Sequence, residues 1–243
     1  MKRRIDHGES ATVYRLSTSC KTVPPSCVNR DDTGSPKTAV YGGVTRARVS
    51  SQAWKRAMRL MFKEEAAADG RGGARTKKIV GMVAKEIAAL DPEKDGVKLS
   101  RAALENAGLK IVKDDKGTDA LFFMSKAQAK ALAALAVSGS EDKKAYKEAL
   151  KAAPSVDIAL FGRMVANDPS LNYDAAVQVA HSISTHGVQN EYDYFTAVDD
   201  LGPEDNAGAG HLGTVEYNSA TLYRYATVNI RELAASLGRE AVP

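Results

Sequence analysis

Acidic residues are missing from Thr33 to Lys63, a stretch that carries seven Lys and Arg. A solvated face normally mixes signs, so a one-signed stretch of this length points to a polyanionic partner. Long apolar runs are missing too: none approaches the roughly 18 residues that a membrane-spanning helix needs. The first 25 residues lack an apolar segment between a basic start and a small-residue cleavage site, so no secretory leader is expected and the expected compartment is the cytoplasm. Cysteine is scarce. Cys20 and Cys27 form no CxxC pair and have no partner cluster, which fits reduced thiols better than a disulfide or a metal site. Nothing resembles GxSxG or the phosphate-binding GxxxxGK, so neither an esterase elbow nor a P-loop is expected.

What is present is a chain of 243 residues with 44% hydrophobic content, enough for one sizeable core or a core with an inserted domain. The net charge of +4 is modest but unevenly spread. Residues 1–63 hold 13 Lys and Arg against 4 Asp and Glu, a balance of +9, and the remainder is at −5.

Residues 1–20 show no clear period. Val23-Pro24-Pro25-Ser26 reads as a break leading into a loop, because consecutive prolines disfavour helix and sheet ladder alike. Residues 29–45 read as loop, with Gly42-Gly43 free to adopt positive φ. Arg46–Ser50 alternates like a short strand, and Ser50 or Ser51 then caps a helix over about 52–65. Helices are expected over 76–90 and 100–107, and over 125–151 as two pieces split near Ser138-Gly139-Ser140. The 64–151 block therefore reads as a helical insertion. After Pro154 the character changes: Val156–Leu160, Ala175–Ile183 and Thr214–Ile230 are richer in β-branched and aromatic residues, as strands are. Residues 202–213 are Gly-rich and read as a mobile segment.

The chemistry-bearing residues concentrate near the basic stretch. Lys55, Arg56 and Arg59 open a helix beginning near Ser51, with Ser50, Ser51 and Gln52 as neutral donors. A helix N-terminus with free N–H groups suits phosphate, and Lys55 and Arg59, four apart, share a face. This arrangement can follow a nucleic-acid backbone without reading bases. Tyr194 and Phe195 are adjacent aromatics that either stack on bases or serve as core residues on the two faces of a strand. Asp31 and Asp32 form a carboxylate pair in a basic loop, without a third carboxylate or a nearby histidine, so capping of the loop is favoured over metal or base chemistry. His181 and His186, five apart in an expected strand, fall on opposite faces and make poor metal ligands. No cofactor is expected.

The runs SCVNRDD, YGG and RVSSQAWKRAMR closely resemble the CasC family, the backbone subunit of the type I-E CRISPR Cascade complex. VDIALFGRM, VQVAHSISTHGV, YFTAVDDL and HLGTVEYNSATLYRYATVNI follow in the family's order, and the resemblance spans roughly residues 22–235. It implies an α+β fold: a modified RRM-like (ferredoxin-type) palm, a helical insertion and a β-hairpin thumb. Palm sequence is assigned to 1–63 and 155–243, the insertion to 64–154 and the thumb to about 176–201. The implied function is non-catalytic: copies of the chain oligomerise along one CRISPR guide RNA, with other Cascade subunits as partners, and leave the guide free to pair with target DNA. The implied RNA contacts are Asn29, Arg30, Lys37, Ser50, Gln52, Lys55 and Arg59 in the palm. In the thumb they are Tyr194, Phe195 and Thr196, where the family often has Trp-Phe-Thr. Met164 matches a position that wedges near the RNA–DNA hybrid, and Lys143, Lys144 and Lys147 resemble lysines that touch target DNA.

Two departures are expected to matter. The family's first core strand, of the type x-I-H-x-L, is not visible in residues 1–21, and Cys20-Lys21 stand where a Leu-Gln pair is usual. Family chains also continue well beyond the point matching residue 243, so an incomplete palm is expected. Two other readings remain open: a metal-dependent RNase using Asp32, since related backbone subunits of other CRISPR types cut target RNA with an Asp in the corresponding loop, and a truncated fragment without function.

Overall fold

The computed structural model describes residues 14–65, 72–112, 117–165, 167–202 and 211–238. It is a mixed α+β protein whose chain divides into two compact units. One is built mainly from Met58–Gln178, the other from Leu16–Ala57 with Val179–Thr227.

The second unit is a sheet with one helix start laid against it. Its strands are β1 (Tyr14–Ser26), β2 (Thr38–Tyr41), β3 (Val44–Val49), β7 (Ser182–Ser184), β8 (Glu191–Ala197) and the 19-residue β9 (His211–Asn229). The order runs β1-β9-β7-β3-β2, with β8 paired to the outer part of β9. Ala47 and Val49 of β3, with Ala220 and Leu222 of β9, form its core, joined by Val23, Ala53, Trp54 and Val188. Alternation assigns the faces: Leu222 is buried while Tyr223 is exposed, and Ser182 and Ser184 are buried on either side of Ile183.

Two expectations fail here for physical reasons. Pro24 and Pro25 do not end the sheet; they lie within β1. β1 is the terminal strand of the order, and an edge strand tolerates residues that cannot donate to a ladder. Residues 38–45 are not loop: Thr38–Tyr41 is a strand that a tight turn joins to β3, whose later part is the strand expected from Arg46 on, registered Tyr41↔Val44 and Thr38↔Ala47. Gly42 and Gly43 both take positive φ, +65° and +78°, as a two-residue turn between twisted strands requires.

The first unit is helical: α2 (Ile79–Leu90), α3 (Gly96–Asn106), α4 (Lys126–Val137), α5 (Lys143–Lys151), α6 (Val156–Phe161) and α7 (Ile230–Leu237), with a small β4–β5 pair (Gly73–Thr76, Phe122–Ser125). Ile79, Val83, Ile87, Leu104, Leu132 and Leu150 close its core, all fully buried. The expected split of 125–151 falls at Ser138–Asp142, and α4 opens with a capping box of Ser125 and Gln128. Val156–Leu160 is helix, not strand. Two β-branched residues in six do not outweigh the first-turn Asp157, whose side chain is anchored inside the unit by the Gly73 N–H and the Ser155 hydroxyl. The remaining helix, α1 (Ser51–Glu65), starts in the sheet unit and ends in the helical one; β6 (Val177–Val179) lies at the return between them. Most of the Gly-rich 202–213 stretch and residues 1–13 lie outside the described residues.

Candidate nucleic-acid interface

The N-terminus of α1 is built by tertiary caps. The Asn29 side-chain carbonyl accepts from the Ser50 N–H (2.9 Å), and the Asn29 backbone carbonyl accepts from the Lys37 N–H (2.8 Å). His181 Nδ1 accepts from the Ser51 N–H (3.3 Å), and Ser50 Oγ accepts from the Ala53 N–H (3.2 Å), leaving the Ser50 hydroxyl proton to donate. Asn29, Lys37 and Ser50 are thus locked together beside the start of a helix that has no acid in its first turn. Gln52 is exposed on that first turn, and Lys55 follows, half-buried, at the start of the second. Three of the helix-start N–H groups are consumed by Asn29, His181 and Ser50, so what this end offers a phosphate is dipole, hydroxyl and lysine rather than a row of free amides.

Residues 29–36 form a closed loop. Arg30 bridges to Pro36 along the backbone and donates from Nη1 to the Gly34 carbonyl (2.8 Å). Asp31 Oδ1 accepts from the Thr33 N–H, the Thr33 hydroxyl and the Ser35 N–H at 2.9, 2.7 and 3.0 Å. These bonds, led by the Thr33 hydroxyl, hold its carboxyl below the ordinary range. Asp31 is therefore a loop cap, and its neighbour Asp32 is exposed. His181 and His186 flank β7 rather than lying within a strand. His186 Nε2 accepts from the Thr221 N–H (3.4 Å), which makes Nδ1 the donor to the Gly187 carbonyl (2.9 Å). Among the described residues no group of three His, Cys, Asp or Glu could hold a metal, both cysteines are free, and no helix is long and apolar enough to cross a membrane.

The hairpin of β8 and β9 projects Tyr194 opposite Thr214, Phe195 opposite Gly213 and Thr196 opposite Leu212. β8 is exposed along its whole length, so Tyr194 (67% exposed) and Phe195 (38%) are not core residues. Tyr192 and Tyr194 share one face; Phe195, on the other, lies over the backbone of Gly213, where a Cβ would collide with its ring. At the hairpin base Glu216 accepts from the Ser35 hydroxyl (2.8 Å) and from Asn190 Nδ2 (3.0 Å), and Asn190 in turn accepts from Asn218 Nδ2 (3.1 Å). This network joins the 29–36 loop to the hairpin. The sequence gives no local sign of it, because its bonded partners are up to 181 positions apart.

The other named residues lie in the helical unit. Arg59 pairs with Asp157 (3.4 Å) and sits 4.3 Å over the Phe123 ring. Asp157 is buried and also accepts from Gly73 N–H (2.9 Å) and the Ser155 hydroxyl (2.6 Å). Arg59 therefore has a structural partner that Lys55 does not share. Lys147 donates to Asp168 (2.9 Å), and Lys144 reaches Glu148 (3.9 Å) along α5, while Lys143 is exposed at the helix start. Met164 is 82% exposed, yet the residue before it is fixed: buried Arg163 donates to the carbonyls of Leu171, Phe123 and Leu150 at 3.0, 3.1 and 2.8 Å. Of the named residues, Asn29, Arg30, Lys37, Ser50, Gln52, Lys55, Tyr194, Phe195 and Thr196 thus share the sheet unit, whereas Arg59, Met164 and the three α5 lysines belong to the helical one.

Comparison with known proteins supplies the family. No curated protein matches the chain. A chain of a CRISPR RNA-guided surveillance complex captured before nicking is 36% identical with a TM-score of 0.70, over 93% of this chain and 67% of that one. A chain of a second CRISPR RNA-guided surveillance complex is 30% identical with a TM-score of 0.59, over 93% and 66%. This chain thus spans about two thirds of the length of each. The family model described as CT1975-like protein matches residues 18–242, and the chain belongs to that family.

Proposed function

We propose that this protein is a non-catalytic, guide-RNA-binding backbone subunit of a CRISPR surveillance complex, of the CasC kind found in type I-E Cascade. Copies assemble side by side on one guide in the cytoplasm, contact the other subunits, and hold the guide open to target DNA. The palm, RRM-like in plan, is drawn from 1–63 and 155–243, and the 64–154 insertion carries Lys143, Lys144 and Lys147 towards target DNA. Palm contacts come from Asn29, Arg30, Lys37, Ser50, Gln52, Lys55 and Arg59. Tyr194, Phe195 and Thr196 form the thumb contacts, and Met164 wedges beside the hybrid. The observation that carries this reading is the locked Asn29–Lys37–Ser50 cluster at the acid-free start of α1. Likeness to surveillance-complex chains supports it.

Lys37→Ala with Lys55→Ala tests the reading. A lysine on a phosphate displaces counterions, and each such contact on a single strand adds about 0.7 to the salt slope of log K. The double variant is expected to bind guide RNA more weakly at low salt and to lower that slope by about 1.4. Titrations by fluorescence anisotropy at several salt concentrations measure both; an unchanged slope would sink the assignment.

A further inference from the structure

Within the sheet unit, the face turned away from the Ala47, Val49 and Leu222 core carries an open depression of about 480 Å³ that no other described element of that unit covers. Its walls include Tyr41, Arg46, His181, Ile183, Tyr223 and Tyr225, all within the sheet unit. The register places them. Arg48, Ile183 and Tyr223 form one cross-strand row, and Tyr225 lies two residues along β9 on the same face. Tyr41, Tyr223 and Tyr225 are exposed. Three aromatic rings left in water on one face lose the burial that normally places tyrosine inside.

Arg46 is held ready beside them. Its Nε donates to the Tyr41 carbonyl (3.0 Å) and its Nη1 to the Ser184 carbonyl (2.9 Å), and neither of these bonds uses Nη2. Its guanidinium lies 5.7 Å from the centre of the Tyr41 ring. No carboxylate lines the depression. Flat aromatic faces beside a fixed cation, with no negative charge, complement an anionic ligand made of flat rings.

We propose that this face is a stacking site for unpaired nucleobases of single-stranded RNA, with Tyr223 and Tyr225 as the platforms and Arg46 as the phosphate or base-edge donor. It rests on the RNA-binding reading but uses none of the palm or thumb residues named for it. A protein occupant fits less well, since a peptide would not specifically require a cation beside ring-sized faces.

The test uses the full chain, with a six-nucleotide oligoadenylate and an abasic oligomer of equal length as probes. Tyr223→Trp places a reporter on the face, and the emission of Trp54 in the parent is the baseline. Oligoadenylate is expected to quench the added emission, and the abasic oligomer to leave it unchanged. Tyr223→Leu with Tyr225→Leu removes both platforms and should weaken oligoadenylate binding by at least about tenfold, as the loss of two base stacks requires, and leave abasic binding as it was. Silent emission in Tyr223→Trp while binding still depends on Lys37 and Lys55 overturns the stacking site alone. Absence of any oligomer binding overturns this site and the RNA reading together. If the Leu pair alters sedimentation of the free protein without changing RNA affinity, the face serves a protein contact and the proposal falls.

Discussion

Asp168 shows how a single carboxylate ties the turn at Ser170 to helix α5. Its Oδ1 accepts from the Ser170 hydroxyl (2.6 Å) and N–H (3.0 Å), and its Oδ2 from Lys147 (2.9 Å). The Ser170 hydroxyl first, and Lys147 next, hold its carboxyl down at about 2. A carboxyl depressed on folding stabilises the fold above its unfolded value near 3.9 and loses that contribution as pH falls through the folded value. Thermal midpoints measured from pH 5 to pH 2 should therefore drop more steeply in the parent than in Asp168→Asn, whose amide does not titrate. Parallel curves would refute the assignment. At this scale the sequence was most misleading for lysine. Lys147 looks like any solvated helix lysine until Asp168, 21 residues on, is folded beside it. Arg163 was invisible for the same reason. Nothing local reveals that its guanidinium will be buried among carbonyls, with burial lowering its pKa to about 10.

Helix α1 is the element on which the proposed grip depends, and its two ends serve different purposes. Its start is fastened by Asn29 and His181, and its later turns by Arg59 on Asp157. The start was legible: Ser50 and Ser51 carry the cap signal, and the acid-free run marks the charge. The partners were not, since Asn29 is 21 residues and His181 130 residues away from the groups they cap. Asn29 accordingly has two roles that a substitution pair can separate. Asn29→Ala removes the acceptor for the buried Ser50 N–H, at a cost of about 1–3 kcal/mol, and should lower both thermal midpoint and guide affinity. Asn29→Asp keeps an acceptor at that position but adds a carboxylate to the grip. Its midpoint should stay near the parent's while its RNA affinity falls. Thermal melts and anisotropy titrations on both variants decide it; equal affinity in Asn29→Asp and parent would remove Asn29 from the phosphate path. The hairpin β2–β3 gives the opposite lesson. Gly42-Gly43 announced the positive-φ turn and Arg46–Ser50 read as a strand, but the four-residue run Thr38–Tyr41 was too short to read as one until it paired with β3.

Across the molecule, the described residues form two hydrophobic cores that share no residue, one in the helical unit and one in the sheet unit. The helical core was readable from the sequence, because the 3.6-residue period of α2 and α4 repeats Ile79, Val83 and Ile87, then Ala129, Leu132, Ala133 and Ala136, on single faces. The sheet core was not. It draws on Val23, Val49, Trp54, Val188 and Leu222, no two of which share a strand. Its strands also alternate with exposed tyrosine and arginine that look equally apt for burial. The sheet core is small, with four buried hydrophobic residues against seventeen in the helical cluster, so it has less to lose before it opens. The consequence is a difference in what core damage does. Leu132→Ala should cost the helical unit about 2–5 kcal/mol and speed amide exchange in α2–α5, with guide affinity close to the parent's. Leu222→Ala, in a core with few members, should release amides of β3, β7 and β9 to rapid exchange and abolish RNA binding, because the cluster around Ser50 stands on that sheet. Hydrogen exchange read by mass spectrometry separates the two outcomes. Uniform acceleration across both units in either variant would mean that the cores unfold as one.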